Sequence, residues 1–144
     1  MHLNFCEIEK MTNEELLQVY CLAPQALENK FTGSNWVDVL ESKPELAIHC
    51  EWHKLNGNDW CRLLCTHPEF AKHCNWDKLS GGDWSKLLSE QPKLAQHCDW
   101  DKLDSSDWVG LLIDRSEFAK HCDWKKLGGS NWVRLLSDRP EFAK

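Results

Sequence analysis

No run of about 18 apolar residues occurs in the 144-residue chain, which excludes a membrane-spanning helix. There is also no basic surplus. The formal net charge is −6, whereas general binders of nucleic acid or anionic membrane present Lys and Arg. Direct nucleic-acid and membrane partners are therefore not expected, and a protein partner, basic if the net charge governs, is left open. The opening M-H-L-N-F-C-E-I-E-K lacks the basic and apolar regions of a secretory signal, so the eight cysteines are expected in a reducing, cytoplasmic setting. No Ser-His-Asp spacing or phosphate loop is present, and the Asp and Glu residues fall at caps and on solvated faces. Neither catalytic residues nor a cofactor is assigned, and the chain is not expected to be an enzyme. With 42% hydrophobic against 28% charged residues, it can still bury a core.

What is present is repetition. The 24 residues from His73 to Gln96 are spelled again from His49 to Lys72, His97 to Lys120 and His121 to Lys144, and in large part from Phe31 to Ile48. A fixed period of this length marks a repeat architecture in which each unit buries its apolar face only against its neighbours. The expected fold is therefore an all-α solenoid. Residues 1–30 form an N-terminal extension and shortened capping unit, and residues 31–144 form one continuous array of about five repeats, the last incomplete.

Each copy carries the same helix signals. Thr32, Asn56, Ser80, Asp104 and Gly128 are residues preferred at N-caps. Three positions later stand Asn35, Asp59, Asp83, Asp107 and Asn131, in the capping-box place. Phe31, Leu55, Leu79, Leu103 or Leu127 precedes the cap, and Trp36, Trp60, Trp84, Trp108 or Trp132 follows four residues after it, the spacing of a hydrophobic staple. Trp and the apolar residues three and four later make one buried stripe. The helix should stop at Pro44, Pro68, Pro92 or Pro140, with Ser116 in that place in the fourth copy, and a second short helix should start there. The x-W-x-K-L segment is too short for an α-helix and predicts a single 3₁₀ turn. In the N-terminal unit, Thr12 and Glu15 have capping-box spacing, Met11 and Leu16 staple spacing, and Pro24 limits the helix; Leu3, Phe5 and Ile8 could fold back over it.

The period, with its D-W-x-x-L-L and P-E-F-A motifs, resembles Trp/Cys-rich helical repeats of bacterial and phage-borne proteins of unknown function. Its length is similar to that of the leucine-rich-repeat-variant type of α-solenoid, whose motifs differ. The resemblance spans residues 31–144, implies a binding scaffold, and transfers no catalytic residue.

Three constellations could carry chemistry. The first is the His-Cys ladder: His49-Cys50, His73-Cys74, His97-Cys98 and His121-Cys122. Its rungs should lie roughly 8–10 Å apart. That is too far for a shared metal, whose ligands sit at about 2.0–2.3 Å, or for a disulfide, which needs Cα atoms within about 7 Å. Cys there reads as a small buried residue, and His as a residue favoured near a helix C-terminus. The second is Cys61 and Cys65, one helical turn apart in a single copy, with His53 and His67 nearby; a metal or redox site there is the alternative to plain thiols. Cys6 and Cys21 read as reduced thiols. The third is a pair of tryptophan ladders, the five staple residues and Trp52, Trp76, Trp100 and Trp124. Such ladders can stack bases or sugars, but an acidic chain lacks the accompanying basic groove, so core packing is expected.

Positions that change from copy to copy are the natural place for function. On the first helices these are Val37, Cys61, Ser85, Val109 and Val133; then Asp38, Arg62, Lys86, Gly110 and Arg134; and one turn on Glu41, Cys65, Ser89, Ile113 and Ser137. Their apolar members, rimmed by charge, suggest a protein-binding strip led by Val37, Asp38, Arg62, Lys86, Val109, Gly110, Ile113, Val133 and Arg134. The other reading of the strip is burial against the following repeat. The expected function is thus a non-catalytic scaffold that binds a protein. One alternative is an acidic inhibitor of a basic, nucleic-acid-binding enzyme, for example a phage-borne anti-defence protein; another is a metal or redox protein using Cys61 and Cys65. The sequence also shows no layer covering Trp132, Leu135, Leu136 and Phe142, so truncation from a longer array or end-to-end self-association is expected there.

Overall fold

The computed structural model describes residues 10–12, 15, 18, 19 and 31–143. In the capping unit one expected contact is present: the Glu15 amide donates to Thr12 Oγ1 at 3.1 Å. Cys6, Cys21, Pro24, the Met11–Leu16 staple and the fold-back of Leu3, Phe5 and Ile8 lie outside the described residues.

Among the described residues the elements are helices: α1 (Gly33–Ser42), α2 (Gly57–Thr66), α3 (Gly81–Glu90), α4 (Ser105–Asp114) and α5 (Gly129–Asp138), alternating with 3₁₀ helices. The fold is an all-α solenoid repeat of about 24 residues. The chain divides into two compact units, Met1–Cys74 and Asn75–Lys144. In the first, α1 packs on α2; in the second, α3 packs on α4 and α4 on α5.

Every α-helix starts where its cap stands. Thr32 Oγ1 accepts from the Asn35 amide at 3.1 Å, and Asn35 Oδ1 accepts from the Thr32 amide at 2.9 Å. The same reciprocal pair forms at Asn56/Asp59, Ser80/Asp83 and Asp104/Asp107. At Gly128 only one half exists, the Gly128 amide donating to Asn131 Oδ1. The staple is visible as the edge-on pair Phe31–Trp36, with centroids 4.8 Å apart. The residue before each proline leaves the helical region, as at Lys43 (φ −136°, ψ 68°), because proline crowds it. Arg115 takes the same conformation before Ser116 (φ −137°, ψ 80°), so packing imposes the stop even without proline. The second short helix, such as Pro44–His49, is 3₁₀ in type, and Trp52–Lys54 is the expected 3₁₀ turn.

Leu63, Leu64, Leu87, Leu88, Leu111 and Leu112 are all 0% exposed, and the second elements add Leu46, Phe70, Leu94 and Phe118 to the core. Within each unit, polar side chains then fasten a repeat to the backbone of the one before it. Lys102 Nζ donates to the carbonyls of Asp77 and Leu79, both at 3.0 Å, and Lys126 Nζ to those of Asp101 and Leu103, both at 3.1 Å. In the first unit Lys54 Nζ donates to the Phe31 carbonyl. Arg115 Nε donates to the Ser89 carbonyl at 3.0 Å, and Arg139 does the same for Ile113 through Nε and Nη2. These carbonyls lie in the last turns of α3 and α4, where no intrahelical donor remains, so each arginine caps the preceding helix. Asp59, the one buried charged residue among the described residues, completes its own cap box and accepts from Ser34 Oγ of α1 at 3.0 Å.

This close approach explains a glycine. A methyl at Gly81 would run into the Lys102 carbonyl oxygen and the Asp107 carboxylate, whereas Gly129 has open space around it. Ser105 holds the equivalent place in α4, facing a repeat that brings Asn131 instead of a carboxylate. Gly81→Ala should therefore destabilise by about 1–3 kcal/mol through overpacking. Gly129→Ala should be neutral or stabilising by up to about 1 kcal/mol through helix propensity. Urea unfolding of the two variants checks the contrast.

Candidate interaction surface

The recurring His, Cys and Trp form stacks rather than a ligand set. Trp76 lies on the core ring of Trp84 (centroids 5.3 Å apart, planes 20°), and His97 lies on its other face (4.5 Å, 10°). Trp108/Trp100/His121 and Trp60/Trp52/His73 repeat the sandwich, while Trp124 rests on Trp132. His73, His97 and His121 are exposed rings whose role is this stacking, a role missed by placing them only near a helix end. Both faces of Trp52, Trp76 and Trp100 are thus covered. Trp36, Trp60, Trp84 and Trp108 are 0–1% exposed. Neither ladder in these copies offers a face to a base or sugar.

The indole N–H groups of Trp36, Trp60, Trp84 and Trp108 are buried with no acceptor among the described residues. An unpaired donor costs about 1–3 kcal/mol. Burying roughly 150–250 Å² of indole at about 25 cal/mol per Å² gives about 4–6 kcal/mol, so burial wins.

Cys50, Cys61, Cys65, Cys74, Cys98 and Cys122 are thiols. Burial, reinforced by the neighbouring carboxylates of Glu51, Asp99 and Asp123, pushes Cys50 and Cys98 up to about 12 and Cys122 to about 11. Raised thiols are poor nucleophiles and poor metal ligands. Cys61 is buried and Cys65 half-buried, and among the described residues no three His, Cys, Asp or Glu side chains are grouped to hold a metal. Burial also raises the Asp107 carboxyl, with the carboxylates of Asp104 and Asp83 adding to it and the cap hydrogen bond opposing.

The strip of variable positions splits. Val37 and Val109 are 0% exposed, so they are packing residues and no partner can touch them; for these two, burial against the following repeat is the correct reading. The direction is set by Ser85, at the same position in α3, whose hydroxyl donates to the Asp107 carbonyl of α4. Val133 holds that position in α5 and is 68% exposed. Asp38, Gly110 and Ile113 are half-buried. Arg62 is exposed but pairs with Asp38 and, at 2.8 Å, with Glu41 on α1. Lys86 and Arg134 are exposed. The Lys and Arg clamps escaped the sequence reading, although Lys54, Lys78, Lys102 and Lys126 recur in every complete turn and could have been marked by that alone.

Ellman's reagent at pH 8 should react slowly with native Cys50, Cys98 and Cys122 and at once after denaturation. Their raised values favour the protonated folded form. That contribution is full below the unfolded value of 9.0 and is lost as pH rises toward about 12, so Tm should fall progressively above pH 9.0. Comparison with family models, curated proteins and solved structures gave no match, so what the surface does is argued from its own chemistry.

Proposed function

We propose that the chain is a non-catalytic repeat scaffold that binds another protein through exposed variable positions of its first helices. One observation carries this. The polar side chains that recur are engaged within the array as caps, carbonyl clamps and ring stacks, which leaves the positions that differ between copies to meet a partner. In the second unit the exposed charged members of that set are Lys86 on α3 and Arg134 on α5, beside the exposed Val133 and Ser137. Their charge favours an acidic patch on the partner, opposite to what the net charge of −6 suggests. In the first unit Arg62 is already held by Asp38 and Glu41.

A second reading draws on the exposed turn carboxylates Asp77, Asp99, Asp101 and Asp123, which form no ion pair among the described residues. They would suit an acidic protein that covers the basic cleft of a nucleic-acid-binding enzyme, in keeping with the resemblance to phage-borne repeats. Lys86→Glu with Arg134→Glu should leave the helical circular dichroism intact and weaken partner capture by about ten-fold or more, about 1.4 kcal/mol. Undiminished capture would contradict the cationic strip. Loss on neutralising Asp77, Asp99, Asp101 and Asp123 instead would favour the second reading.

A further inference from the structure

The helix caps differ in charge from copy to copy. The box of α1 pairs Thr32 with Asn35, that of α2 pairs Asn56 with Asp59, and that of α3 pairs Ser80 with Asp83. At α5, Gly128 meets Asn131. Each of these holds one carboxylate or none, whereas the box of α4 pairs Asp104 with Asp107 and holds two. The two interlock. The Asp107 amide donates to Asp104 Oδ1 at 2.9 Å, and the Asp104 amide donates to Asp107 Oδ2 at 3.1 Å. Like charges at one site oppose each other's ionisation, so such a pair titrates as a unit. The positive end of α4 favours each carboxylate. Even so, burial, with Asp104 and Asp83 adding to it, holds the Asp107 carboxyl above its ordinary value of 3.8.

The preceding helix widens the contrast. On α1, the Ser34 hydroxyl donates to Asp59 Oδ1 at 3.0 Å. The equivalent residue of α3 is Gly82, where an added Cβ would lie 3.7 Å from Asp107 Oδ1 but no hydroxyl exists. Asp107 is half-buried, and its Oδ2 lies where a methyl on Gly81 would stand. The charges that act on it are Asp104 of its own cap and Asp83 of α3. Lys102, ahead of the cap, is engaged on the Asp77 and Leu79 carbonyls, and the matching box residue of α5 is the neutral Asn131.

We propose that the junction of α3 with α4 is a proton-sensitive joint: in acid one proton is held between Asp104 and Asp107, and at neutral pH, with both ionised, the joint loosens. This goes beyond the binding reading and does not rest on it. The proton comes from solvent, the carboxyl that takes it becomes a donor to the other carboxylate, and one negative charge leaves the cap. A carboxyl whose proton is favoured by folding contributes stability that is full below the unfolded value of 3.8 and is lost as pH rises through the higher folded value. The joint is therefore tightest in acid.

The proton is read directly from the side-chain carboxyl carbons of Asp104 and Asp107, followed by NMR in the full chain from neutral to acid pH. Two steps are expected, the upper one above the ordinary aspartate value of 3.8. Asp104→Asn, which uses the cap residue already present at Asn56, should bring Asp107 down toward that value. It should also raise Tm by a few degrees at neutral pH and give no rise in acid. Gly82→Ser, by supplying the hydroxyl that Ser34 gives Asp59, should lower the upper step as well. Comparing each variant with the unsubstituted chain at the same pH cancels the titration of the other carboxylates. Both aspartates titrating at ordinary values in the unsubstituted chain overturns the inference whether or not the variants fold. So does a change in Tm with Asp104→Asn that is the same at both pH values.

Discussion

Everything else in the fold depends on one interaction, the burial of the Trp and Leu face of one helix beneath the next repeat. A ten-residue helix is marginal in water by its own hydrogen bonds, so tertiary contact must supply what local propensity does not. The dependence is visible in adjacent copies of the same sentence. Trp108 on α4 is 1% exposed and Val109 0%, whereas Val133 on α5, with no helix over it among the described residues, is 68% exposed. Burial of a whole indole is large enough to outweigh its unpaired N–H, which is how a ladder of such donors persists in the core.

Polar contacts then set register. In the second unit a lysine and an arginine of one repeat end on backbone carbonyls of the preceding one, and backbone carbonyls exist whatever the side chain. The junction can therefore tolerate Ser, Val or Cys at the position after Trp. The outward positions are equally unconstrained, and that is where a partner can be recognised. Sequence freedom thus arises twice in this repeat, once inside the junction and once on its surface, for different reasons.

That double origin explains what could be read from the residues alone. Caps, staples, proline stops and the 3₁₀ turn were legible because each is settled within a few residues, as Thr32 with Asn35 and Phe31 with Trp36 illustrate. The clamps were not, because Lys102 meets Leu79 and Arg115 meets Ser89 about one whole period away, and propensity does not describe such distances. The histidine stacks were hidden for the same reason: Trp76 meets His97 from the following copy. Val37 and Val109 were assigned to a partner strip because they vary. Variation reports tolerance, and a small interlayer slot tolerates several small residues while remaining buried.

Nearest-neighbour stabilisation is tested most directly by amide hydrogen exchange resolved along the second unit. Both α4 and α5 are ten-residue helices of the same pattern, but α4 is covered by the following repeat, whereas no repeat covers α5 among the described residues. Opening of α5 should require the loss of one junction only, so its slowest amides should exchange at least about ten-fold faster than those of α4. Equal protection of the two helices would mean that a helix is held by its own repeat alone, and would contradict the account.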